Sequence, residues 1–145
     1  MATVNKIIIL TIVCSMFIFV GVGHGAVPMG LVEPMFFVDT LKGENSLTLV
    51  GGYSIRVAGC VMLSMLGQLC LLTACISNRP VKFYLTYTGI AILCLALLFL
   101  TVDLSSGRSD TFTLVFAIPF IYASIRLIVS LVNIKKQIIG EGHSR

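Results

Sequence analysis

Charge is what this chain has least of. Asp, Glu, Lys and Arg make up 11% of its 145 residues, while 57% are hydrophobic. An average soluble domain is roughly 25% charged. A soluble domain of this length could bury a core, but it could not hide this much apolar surface from water. The formal net charge of +4 comes from Lys and Arg at the ends of apolar runs. They form no basic patch tracking a phosphate backbone, which argues against a nucleic-acid partner.

Groups that carry chemistry are equally sparse. The two histidines, His24 and His143, lie far apart and offer no Cys/His ligand spacing, so no metal site is expected. The five cysteines, Cys14, Cys60, Cys70, Cys75 and Cys94, form no Cys-x-x-Cys pair and all lie inside apolar runs. A redox dithiol is thereby excluded, and small buried apolar side chains are the reading that remains. There is no phosphate-cradling glycine loop and no Ser/His/Asp set on one face. Asn45-Ser46-Leu47 is not a glycosylation sequon, and no other Asn opens one. No catalytic residue, cofactor site or metal site is therefore expected, and the chain reads as a non-enzyme.

What the chain does have is four apolar stretches, over about 7–23, 57–77, 81–102 and 112–134. Each is about long enough to cross the ~30 Å hydrocarbon core of a bilayer as a helix. The predicted fold class is all-α: a single-domain, antiparallel four-helix transmembrane bundle covering 1–145. The sign of the charge alternates across the gaps. Lys6 precedes the first stretch, and Arg79 and Lys82 flank the second gap. Lys135 and Lys136 open the tail, 135–145. The first gap (Glu33, Asp39, Lys42, Glu44, Arg56) and the third (Asp103, Arg108, Asp110) are each net negative. Positive residues are kept cytoplasmic during insertion. Both termini and the second gap should then be cytoplasmic, and the loop 24–56 lumenal or extracellular. Which membrane holds the chain, endoplasmic reticulum or plasma membrane, is left open.

The first stretch has a second reading. Lys6, the run Ile7 to Val20 and the small residues Gly21 to Ala26 also describe a signal peptide cut after Gly25. Cleavage would leave three spans and spoil the even-span charge pattern, so a retained helix is expected. In the first gap, Pro28 and Pro34 should break helix around Met29 to Glu33. Met35, Phe36 and Phe37 are then expected at the lipid interface, or alternatively as a lid over a cavity. Gly21, Gly23 and Gly25 include a Gly-x-x-x-Gly spacing, a signal for close helix approach.

Polar residues inside the stretches are the candidates for specific contacts. Arg126 lies past the middle of the fourth, with Tyr122 one turn earlier on the same face. The pair could meet Gln68 of the second stretch, or Tyr84, Tyr87 and Thr88 of the third. A cluster of Arg126, Tyr122, Gln68 and Tyr87 would be an interhelical hydrogen-bond network or, alternatively, an anion site. Arg56 and Asp103 should share the lumenal surface as an ion pair.

The run Ser54-Ile55-Arg56-Val57-Ala58-Gly59, continuing through Met62-Leu63-Ser64, resembles the Arg-x-x-Gly opening of the second helix in DoxX-like small membrane proteins. Pro28 and Arg126-Leu127 match features of the tumour-suppressor-inducible branch of that family in animals. The resemblance covers about Ile7 to Lys136. It implies an antiparallel four-helix membrane bundle without an agreed catalytic activity, in a group that includes an assembly chaperone for receptor channels. The chain is also similar to the four-helix scaffold proteins of sterol synthesis in the endoplasmic reticulum. Leu95 to Phe99 stands where that group has His-x-x-x-Glu. The expectation is a scaffold, assembly factor or regulator working with the lipid bilayer and with other membrane proteins or its own copies. A small transporter or channel subunit is the alternative.

Overall fold

A computed structural model describes residues 2–22, 25–42, 52–101 and 108–142. In chain order these form α1 (Ala2–Met16), β1 (Phe19–Val22), β2 (Gly25–Pro28), α2 (Met29–Lys42), α3 (Gly52–Ile76), α4 (Arg79–Thr101) and α5 (Arg108–Gly142). Three of the helices contain segments long and apolar enough to cross a membrane: Gly59–Ile76, Pro80–Thr101 and Thr113–Ile134. These agree with the second, third and fourth stretches to within two residues. They mark the chain as an integral membrane protein.

Each helix buries one stripe at three- and four-residue spacing. On α1 it is Val4, Ile8, Thr11, Ile12 and Ser15; on α4 it is Thr86, Ile90, Leu93, Ala96 and Leu100; on α5 it is Ala117, Phe120, Leu127 and Leu131. The outward faces are as apolar as the inward ones, with Leu69, Leu98 and Ile118 each about three-fifths exposed (62%, 60% and 60%). Hydrophobicity on both faces is what a lipid surround permits and water does not.

Helices α3 and α4 form a tight hairpin whose contacts run in opposite order along the two. Cys60 Sγ donates to Ala96 O at 3.3 Å, and Gly67 faces Gly89 further along. Asn78 precedes α4, with its carbonyl accepting from Lys82 N at 2.9 Å, and Pro80 sits in the first turn where its missing N–H costs nothing. At the crossing, a Cβ on Gly67 would fall 2.7 Å from Leu93 Cγ and 3.1 Å from Gly89 O. Only two glycines let the backbones come this close.

The first stretch departs from a simple span over 7–23. Helix α1 starts earlier and stops at Met16, and the chain then folds back as an antiparallel hairpin pairing Phe19 with Pro28 and Val22 with Gly25. Phe17 to Val22 is β-branched and aromatic, and Gly21 and Gly25 weaken helix while suiting a hairpin. Thr113 Oγ1 donates to Phe19 O at 2.9 Å, and the Phe19 and Phe116 rings lie 4.4 Å apart at 46°. These contacts seat β1 on α5.

The expected helix break at Met29 to Glu33 is a helix instead. Pro28 ends β2 directly before α2 begins, and α2 continues through Pro34. Pro34 can remove only one intrahelical bond, that to the Gly30 carbonyl. The helix is held from outside as well: Met29 N donates to Ile18 O at 2.8 Å, and Glu33 is anchored to α3. Met35 is exposed on this helix.

Candidate functional site

The strongest concentration of buried polarity surrounds Glu33. It is 4% exposed and lies against α3, although it belongs to a stretch expected to be a loop. Ser64 Oγ donates to Glu33 Oε1 at 2.6 Å, and Gln68 Nε2 donates to the same oxygen at 3.0 Å. Ser64 and Gln68 are one turn apart on α3, so both reach one point in space. Gln68 Nε2 also lies 3.3 Å from Ser15 Oγ and 3.3 Å from Ser64 Oγ. An amide has two protons, so three acceptors share them. Ser15 in turn donates to Ile12 O at 2.7 Å. The cluster ties α1, α2 and α3 together.

Burial pushes the Glu33 carboxyl above the ordinary value of 4.5, and the bonds from Ser64 and Gln68 pull the other way. Among the described residues no cation pairs with it. Beside the cluster lies a cavity of about 20 Å³, lined by Ser15, Ser64, Cys60, Met29, Leu93 and Phe120 among others. That is room for about one water, but the cavity wall is almost wholly apolar, so it is a packing void more than a water site.

Arg126 and Tyr122 sit together and apart from this cluster. The Arg126 guanidinium lies 5.9 Å from the centroid of the Tyr122 ring, a cation–π distance. Both are exposed on the outer face of α5, Tyr122 at 61%. Tyr87 is 39% exposed on α4. Gln68 points inward to Glu33, so the structure does not bring the four residues Arg126, Tyr122, Gln68 and Tyr87 together. Asp103 and the Arg56 side chain lie outside the described residues, as do His24 and His143. The cysteines are all free thiols: Cys60 is buried, Cys14, Cys70 and Cys75 are half-buried, and Cys94 is exposed.

Glu33 was readable only as one charge in an acidic gap. Its signal is that it stands alone in an otherwise apolar run, Ala26 to Val38. A single acid so placed must find donors in the fold or stay in water. Comparison with protein-family models, with curated proteins and with solved structures finds no match.

Proposed function

We propose that this chain is a non-enzymatic, multi-pass membrane scaffold, assembly factor or regulator, which binds other membrane proteins or its own copies through the outer face of α5. The observation that carries this reading is Arg126. It lies inside the apolar window Thr113–Ile134 yet on the exposed face. An Arg facing hydrocarbon is expensive, about 2.5–3.5 kcal/mol on insertion scales. Tyr122 offsets part of that cost, and a polar or acidic group on a partner helix would offset more. The bundle is read as four antiparallel helices of the DoxX-like kind, with both termini cytoplasmic. In support, Asn5 meets Cys75 and Ser15 meets Gln68, so α1 runs against α3.

The test is affinity purification of the full chain from mild detergent, with identification of co-purifying proteins and lipids, for wild type, Arg126→Leu and Arg126→Lys. Arg126→Leu should keep its melting temperature and lose its protein partners or self-association. Lost stability with partners retained would return Arg126 to a purely structural role.

A small proton-coupled transporter or channel subunit is the second reading, favoured by the buried, hydrogen-bonded Glu33 carboxyl. Proton flux into proteoliposomes that disappears in Glu33→Gln would support it.

A further inference from the structure

At the other end of the α3–α4 hairpin a second buried charge stands without a counter-ion among the described residues. Lys82, in the first turn of α4, is 7% exposed. Its Nζ donates to Asn5 Oδ1 of α1 at 2.7 Å. An ammonium can only donate, so this contact identifies the Asn5 atom as the oxygen. The Asn5 amide nitrogen then donates to Cys75 O in the last turn of α3, at 3.4 Å. Asn5 is thus engaged at both ends, and the ammonium has one neutral acceptor for three protons.

Among the described residues Lys82 makes no ion pair, and its one side-chain partner is Asn5. Of the described acidic residues, Glu33 and Asp39 lie on α2, before α3, and Asp110 opens α5, after α4, so these three belong to the opposite ends of the two helices. Glu141, in the last turn of α5, is the one acidic position on described backbone at the Lys82 end, five residues past Lys136. The Lys82 end carries Lys6 and Lys136, both exposed, and Arg79 next in the chain before Pro80. The carbonyl end of α3 contributes about half a negative charge at most. Tyr84, half a turn past Lys82, is 77% exposed, and Ile76 is 89% exposed. An exposed aromatic ring and an exposed aliphatic at the same end of the hairpin as a cation, though on other faces, are the composition of a bilayer headgroup zone.

We propose that Lys82, set by Asn5 where α1, α3 and α4 meet, binds the phosphate of an anionic lipid headgroup, whose oxygens take the ammonium protons that Asn5 leaves unused. The acyl chains would lie along the exposed apolar faces beside it. The site rests on the reading that α3 and α4 span a bilayer, and the test separates the two.

The full chain is reconstituted in nanodiscs of phosphatidylcholine, which tests the membrane reading alone: a chain that fails to incorporate overturns that reading. Incorporated protein is then offered phosphatidylglycerol, and bound lipids are counted by native mass spectrometry alongside thermal unfolding. Wild type should prefer phosphatidylglycerol over phosphatidylcholine about five-fold, the ratio expected of one Lys at an anionic surface, and melt higher with it. Lys82→Gln should lose the preference, and Lys82→Arg should keep it. Asn5→Asp guards against simple unfolding: it supplies an internal carboxylate at the same contact, so it should fold well and yet lose the preference. A preference unchanged in Asn5→Asp and Lys82→Gln would overturn the site. Inorganic phosphate raising the melting temperature as much as phosphatidylglycerol would overturn the lipid assignment in favour of a soluble phosphate.

Discussion

Glu33 holds two donors on one carboxyl oxygen and no positive partner among the described residues. Its folded pKa is raised, so the native state holds the proton more tightly than the unfolded chain does. Stability should then be greatest in mild acid and fall as pH rises from the ordinary glutamate range through the raised value. Melting temperatures of wild type in detergent from about pH 5 to about pH 8 should decline, and Glu33→Gln should flatten the curve. A wild-type curve that rises over that interval would contradict the assignment. Ser124 makes the opposite case. Its hydroxyl is buried and unpaired among the described residues, so Ser124→Ala should stabilise by about 1 kcal/mol, read as a higher melting temperature. At this scale the sequence was uneven. Arg126 was conspicuous as a lone charge within an apolar stretch, and its neighbour Tyr122 followed from helical spacing. Its outward direction did not follow, because both faces of α5 are apolar and periodicity cannot then say which one is inside.

Helix existence was legible, and helix partnership was not. Asn78 and Pro80 mark the turn between α3 and α4, and the charge-free runs around it give both lengths. The close crossing at Gly67 and Gly89 left no local trace, since the two residues lie on different helices. The visible spacing of Gly21 and Gly25 belongs instead to a β-hairpin. Gly67→Ala should force α3 and α4 apart at Leu93 and the Gly89 carbonyl, costing about 1–3 kcal/mol as overpacking does. Gly59→Ala is the internal control. Its nearest neighbour would be Phe99 Cε1 at 3.9 Å, an ordinary contact, and its melting temperature should stay at or above wild type. Equal losses in both variants would mean that helix propensity and packing at the crossing are not what separates them. Helix α2 was missed because Pro28 and Pro34 read locally as breakers, while the bonds that hold Glu33 come from residues 31 and 35 positions further on.

For the molecule as a whole, charge alternation predicts both termini on the cytoplasmic side. Single-cysteine variants at Ser106 and Ser144, with the five native cysteines replaced, should label from opposite sides of the membrane. Ser106 labelling from the cytoplasm, or Ser144 from outside, would reverse the topology. The tie between Glu33 and α3 also has a meaning in time. The ribosome makes Glu33 before Gln68, 35 residues ahead, which at roughly 5–20 residues per second is a wait of about 2–7 s. Phe19 waits for Thr113 across 94 residues, about 5–19 s by the same rate. Through that interval the nascent N-terminal third carries an acid with no donors and an unseated hairpin. Its insertion is therefore provisional until α3 and α5 arrive, and a stalled or shortened chain would present an unshielded carboxylate to the cell's membrane quality control.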